Sequence, residues 1–391
     1  MKSVIASAPG KIILFGEHFV VHGTKAILAA IDKRVTVTST RIPGKKSGPL
    51  LMKSDETLKI NSQLGTFEIP MHEWKRPDDS LEGMCSLHGT GPRVYLRDGE
   101  VPSEFRPFVY LAAKLSDLTR SRHYQQKLAL HPDGLEITID SDIPVGVGLG
   151  SSSACCVAAA ASLYALFQAN LRGEIIHDKS GDSSFSREWF GENETEDILL
   201  LAKLAEKTIF PDTSGADCTV CTYGGMIEYS RESEYHEPSI EKIDNTFDLN
   251  IIIANSMIPH NTKNSVEKVN KFKENDEERF SELCDLETKL IDEVIIAMKN
   301  NDATALGLKM SENQKYLEEI QVSNDTLRDM ISSLKEISLG TKITGAGDGG
   351  CIIALVKDEN VNKVPALLGK DKECFSAKID TKGVVWSKIE E

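Results

Sequence analysis

Apolar and polar positions alternate over Val35–Thr40 (VTVTST) and Leu135–Asp140 (LEITID), and a period of two predicts a strand in each. Lys2–Ala8 and Lys11–Gly16 read as two further short strands, parted by a turn at Pro9-Gly10. From Glu104 to Leu118 the period becomes helical, with Phe108, Leu111, Ala112 and Leu115 on one face. Leu199, Leu200, Ala202 and Leu204 predict a helix that stops before Pro211. A longer amphipathic helix sets Phe280, Leu283, Leu286, Leu290, Val294 and Met298 on one face, with acids opposite. Ala154–Phe167 is alanine-rich and uncharged but falls short of the ~20 residues of a membrane span, so it reads as a buried helix. Leu249–Ala254, Cys351–Val356 and Val384–Ser387 are strand-like. Strands and helices segregate rather than alternate, which predicts an α+β fold.

At roughly 150 residues per domain, 391 residues suggest two or three domains. The texture of the chain changes near residue 230. The expected division is therefore 1–230 and 231–391, with the last strand able to pack back on the first domain. Residues 171–196 are polar and rich in Ser, Gly and acid, as in an exposed insertion. The acids of Glu274–Glu278 read as a solvated helix end. A net charge of −15 argues against nucleic acid and anionic membranes as partners, and an anionic ligand must be drawn by a local site instead. Pro9 interrupts the apolar stretch that a secretory signal would need, which predicts a cytoplasmic protein. Cys218 and Cys221 form a lone CxxC with no second ligand pair for zinc, and they read as small buried thiols.

The segment Pro144-Val-Gly-Val-Gly-Leu-Gly-Ser-Ser-Ser-Ala154 carries the candidate chemistry. Alternate glycines let backbone amides turn toward one point, and a helix opening at the serines adds free N–H groups and a favourable dipole for phosphate. A glycine-rich turn that merely packs a helix tightly fits the same letters. No lysine precedes the serines as a P-loop requires. A second run, Gly345-Ala-Gly347-Asp-Gly-Gly350, matches GxGxxG formally. A strand rather than a helix follows it, which excludes the dinucleotide-binding reading.

With Ala8-Pro-Gly-Lys-Ile-Ile-Leu-Phe-Gly-Glu-His18, these runs make three motifs in an order that resembles the GHMP kinases. Galactokinases of that family carry an arginine where Lys11 stands. The resemblance implies a two-domain fold with the site in the interdomain cleft, ATP and Mg²⁺ as cofactors, and a dimer. It implies phosphoryl transfer to the primary hydroxyl of mevalonate; another small hydroxylated metabolite, or nucleotide binding without turnover, are the alternatives. Gly146, Val147, Gly148, Leu149, Gly150, Ser151, Ser152 and Ser153 match the loop around the ATP phosphates, and Ser141 a further nucleotide contact. Ser152 and Glu206 match the metal-binding pair, Asp217 the catalytic aspartate and Lys11 the lysine beside it. Glu17, His18 and Thr262 match positions near the acceptor. The chain departs from the family at Pro211, which stands where a glycine is usual, at Asp348 within the third glycine run, at His260 and at Met71.

Overall fold

A computed structural model describes residues 3–42, 57–70, 101–123, 134–144, 146–172, 192–231, 238–243, 250–259 and 262–389. Most of the stretch read as a polar insertion lies outside them, as do Met71 and His260.

The first motif forms one strand, β1 (Ser3–Phe15), not two strands parted by a turn. Proline has no N–H to give to a ladder and is tolerated in sheets at bulges. The register against the next strand, β2 (Lys25–Ile42), shifts between Pro9 and Gly10. β1 therefore runs through Pro9-Gly10 unbroken, and the expected turn is replaced by a bulge in β2, where Asp32 and Lys33 are the extra residues opposite it.

β2 is the spine of the larger sheet. Its second half pairs with β5 (Gly134–Ser141), and its first half with β6 (Met226–Ser230). The second half buries every other side chain, as the VTVTST alternation predicts. Ala26–Ile31 are all buried, so that half carries no period of two and was invisible as a strand. β3 (Thr57–Ser62) and β4 (Gly65–Pro70) form a hairpin, with β3 parallel to β5. β7 (Ser239–Ile243) pairs with β6 across the expected division at residue 230, and β12 (Val385–Ile389) lies antiparallel on β1. The strand order is β12-β1-β2-β5-β3-β4, with the β6–β7 hairpin on the far end of β2.

The helix Ser151–Arg172 packs on β1 and β2 through Ala158, Ala159, Ala160 and Ala161, all fully buried. Methyl-sized side chains let it sit close to the sheet. The helices Arg106–His123, Glu192–Glu206 and Ala216–Tyr223 pack around it.

The second sheet runs β11-β8-β10-β9, from Glu373–Ala377, Ile251–Asn255, Cys351–Val356 and Ser338–Ile343, and is antiparallel throughout. It goes with the helices Thr262–Asn275, Glu277–Lys299, Ala303–Glu319 and Asp325–Leu334. Asp276, Asp302 and Asn324 cap the last three, each accepting a backbone N–H at 2.9–3.0 Å. The mixture of mainly antiparallel sheets and segregated helices is the predicted α+β class. Among the described residues no helix is long and apolar enough to cross a membrane.

The two sheets meet where Thr344, just past β9, both accepts the Ile13 N–H and donates to the Ile13 carbonyl. That contact brings the third glycine run to the end of β1.

Candidate active site

Gly146, Gly148 and Gly150 have φ of 75°, 84° and 71°, a left-handed conformation that costs glycine little. Between them Val147 and Leu149 point inward and are buried. The loop is thus pinned by two apolar side chains while its amides remain available, a geometry suited to anions. It runs directly into Ser151–Arg172, whose first N–H groups lack intrahelical acceptors. The loop lands on β1 just past Gly10: Lys11 N–H donates to the Leu149 carbonyl at 2.9 Å. A Cβ at Gly150 would lie 2.7 Å from Cγ of Lys11, so the approach requires glycine. Ser141 closes the base of the loop, its hydroxyl accepting from Ile143 N–H and donating to the Ile143 carbonyl.

β1 also carries the Lys11 side chain, whose ammonium lies 3.1 Å from the Asp217 carboxylate. Lys11 is 6 % exposed along its side chain and Asp217 34 %, so the aspartate faces the open side of the pair. Asp217 is in the first turn of Ala216–Tyr223, where the helix dipole favours a carboxylate. Behind it, buried Glu206 accepts hydrogen bonds from Ser153 and, at 2.6 Å, from Thr213. Burial raises the Glu206 carboxyl above its ordinary value, and the neighbouring Asp217 charge adds to the shift. The Phe210-Pro211-Asp212 turn delivers the Thr213 hydroxyl, its Thr213 N–H returning to the Phe210 carbonyl. The departure at Pro211 thus belongs to a formed turn. Among the three serines, Ser153 is the one on Glu206, while Ser152 is exposed. Cys218 and Cys221 are buried, and burial pushes both thiols well above their usual range, as small packing thiols should be.

Glu17 does not face the open side of the site. It is 2 % exposed and ion-pairs with Lys342 of β9, itself fully buried. Burial raises its carboxyl even though Lys342 pulls the other way. His18, half-buried at φ 60°, shares a 2.9 Å hydrogen bond between Nε2 and the Ala346 carbonyl of the third glycine run. Burial lowers its pKa, and the Ala346 carbonyl and the Asp348 charge oppose the shift. Asp348 adopts φ 56° and forms a 2.6 Å ion pair with Lys268. Thr262 is exposed at the start of the helix that carries Lys268.

Sequence reasoning missed Lys342, Thr213 and Glu287. Lys342 sits in a strand end whose residues are all buried, so no alternation marks it. Glu287 is one of the acids on a helix whose acids were expected opposite the apolar face. The structure buries it completely, and its spacing says why: it lies four residues after Leu283 and seven after Phe280, on the apolar stripe.

The arrangement offers a loop for phosphates, a lysine–aspartate pair beside it, and a buried carboxylate held by neutral hydroxyls. No three His, Cys, Asp or Glu side chains converge as a metal site among the described residues. Mg²⁺ needs none, since it is bound by one or two carboxylates together with substrate phosphates.

Residues 110–180 match the GHMP kinases N terminal domain, and residues 294–366 the GHMP kinases C terminal domain. The chain is 30% identical to a mevalonate kinase of Archaeoglobus fulgidus over 357 residues, covering 91% of this chain and 93% of that one. It is 29% identical to a mevalonate kinase of Arabidopsis thaliana over 398 residues, covering 97% and 98%. Among solved structures it shares its fold with the L. major mevalonate kinase in complex with R-mevalonate. The TM-score there is 0.65 at 23% identity, covering 96% of this chain and 95% of that one.

Proposed function

The chain belongs to the GHMP kinase family, among its mevalonate kinases, and on that premise we propose that it transfers the γ-phosphoryl group of ATP to the primary hydroxyl of mevalonate, giving 5-phosphomevalonate and ADP. The observation that carries the reading is the 3.1 Å Lys11–Asp217 pair standing against the glycine loop. Phosphoryl transfer through a loose transition state asks for positioning and charge neutralisation more than covalent help. The amides from Gly146 to Ser153 receive the phosphates, and Ser141 holds the base of their loop in shape. Asp217 orients the acceptor hydroxyl and takes its proton late, because a carboxylate is too weak a base to ionise an alcohol early. Lys11 neutralises charge at the transferring group.

Glu206 has hydroxyl and thiol partners, all neutral, and a second carboxylate beside it in Asp217. Such a set of hard oxygen donors, in need of a counter-ion, fits Mg²⁺. Glu206 and Ser152 would hold the ion, which when bound neutralises the phosphate oxygens that an acidic protein would otherwise repel. His18 and Thr262 are assigned to the acceptor side, with Glu17 as the buried support beneath His18. The assembly is taken to be a dimer, which sedimentation measures directly.

A coupled assay of ADP release across mevalonate, 5-phosphomevalonate, galactose and homoserine tests the reading. Turnover with mevalonate and background rates with the others are expected. ATP binding without turnover on any of the four overturns it.

A further inference from the structure

Three consecutive residues of the first motif are each tied to a different segment of the C-terminal half. Gly16 N–H donates to a Glu287 carboxylate oxygen at 2.9 Å. Glu17 pairs with Lys342, whose ammonium also donates to the Ile343 carbonyl at 2.7 Å. His18 meets the Ala346 carbonyl at 2.9 Å.

The first of these ties has no part in the chemistry above. Glu287 and Asn313 are both fully buried, and the Asn313 amide donates to both carboxylate oxygens, at 2.8 and 2.7 Å. The next residue on that helix, Gln314, accepts the Ile343 N–H at 2.9 Å, so one helical turn braces both the Gly16 tie and the strand of Lys342. Gly16 has φ 92°, and an added Cβ would strike the Lys25 carbonyl and Ala26. Its backbone has one way to sit, and its free N–H points at the carboxylate. A buried carboxylate is costly unless its hydrogen bonds are made, and here they are made by the chain that leads to His18.

We infer that Glu287, braced by Asn313, is a positioning residue for acceptor binding: it fixes Gly16 and thereby the setting of Glu17 and His18 on the mevalonate side of the cleft. The inference rests on the kinase reading and adds a residue that touches no reactant. The tie acts on the end of β1 beyond Lys11, so it bears on the acceptor and not on the loop that receives ATP.

Steady-state kinetics of Glu287→Leu and Glu287→Gln test it, with mevalonate and ATP varied in turn. Glu287→Leu is expected to raise KM for mevalonate roughly ten- to hundredfold, the range lost when a hydrogen bond to a charged group is broken. KM for ATP stays within about threefold, since the loop is untouched. Glu287→Gln keeps an oxygen for Gly16, keeps a hydrogen bond to Asn313 once the Asn313 amide turns over to set its oxygen against the new NH2, and restores KM to within about threefold. Equal changes in both Michaelis constants, or no change in a folded Leu variant, overturn the inference. If Glu287→Leu does not fold, Asn313→Leu is read the same way. Hydrogen exchange at the Gly16 amide, faster in whichever variant folds, gives a readout independent of turnover. A parent enzyme with no turnover on mevalonate would instead count against the kinase reading.

Discussion

Lys11 and Asp217 are 3.1 Å apart although one comes from the first strand and the other from the first turn of a helix two hundred residues on. The pair is made by packing: the helix that carries Asp217 lies against the strand that carries Lys11.

Asp217→Asn keeps the shape of the side chain and removes its charge and basicity. Turnover is expected to fall at least about a hundredfold, the usual range for a lost acid–base group, with both Michaelis constants within about threefold. ADP release under saturating substrates checks this. Near-normal turnover would remove Asp217 from the chemistry.

Gly146→Ala and Gly150→Ala separate two uses of glycine in one loop. Both have left-handed φ, so each substitution costs about 1–2 kcal/mol in stability. Nothing lies within 4 Å of a Cβ at Gly146, whereas a Cβ at Gly150 presses on Lys11. Thermal melts should show the larger loss in Gly150→Ala, and kcat falls much further there as well.

Asp348→Gly brings the third run to the family's usual glycine and releases Lys268. The pair is partly exposed, with side chains 46 % and 15 % accessible, so its contribution is at most about 1 kcal/mol. Relief of the left-handed strain at Asp348 offsets it, and the melting temperature should hardly move. The freed lysine leaves a positive charge beside the third glycine run. Inhibition by 5-phosphomevalonate is expected to tighten several-fold, and an unchanged inhibition constant would show that Lys268 does not reach the ligand.

Glu287 links stability to pH. Burial raises its carboxyl from 4.5 to about 7, helped by the facing charge of Glu17 and opposed by Asn313, Lys342 and the Gly16 amide. Between those values the folded chain holds a proton that the unfolded chain has lost. Stability therefore falls as pH rises from about 4.5 to 7, by up to about 3 kcal/mol, and levels off above. Glu287→Gln lacks this group, so its melting temperature relative to the parent should improve from pH 5 to about pH 7 and then hold level to pH 8. A constant difference across that range would refute the assignment.

The sequence pattern was legible wherever one face of an element is buried and the other is wet. Cys351–Val356 was read to the residue, and Val35–Thr40 and Leu135–Asp140 fall inside β2 and β5. Ala26–Ile31 was not legible, because a strand covered on both faces has no alternation to read. Pro9-Gly10 misled for a different reason, since a dipeptide that signals a turn lies here within a continuous strand, opposite a bulge in β2 that accommodates the missing proline N–H. In the site, the lysine and aspartate were foreseen from motifs. That Ser153 and not Ser152 lies on Glu206 depends on the rotation of a helix about its axis, which the glycine loop sets and no local pattern encodes.

The β12–β1 pairing has a consequence for how the protein is made. Ser3 to Ser7 pair with Val385 to Ile389, so the first part of the strand that carries Lys11 has its outer edge covered by a strand that leaves the ribosome after every element of the second sheet. Through most of synthesis β1 has β2 on one side and unpaired backbone on the other. The hydrogen bonds along that part of the edge are completed only after the residues of the second sheet have emerged. A nascent chain cut short of β12 would retain every residue assigned to the chemistry and still present an open sheet edge, the kind of surface on which chains join one another instead of folding.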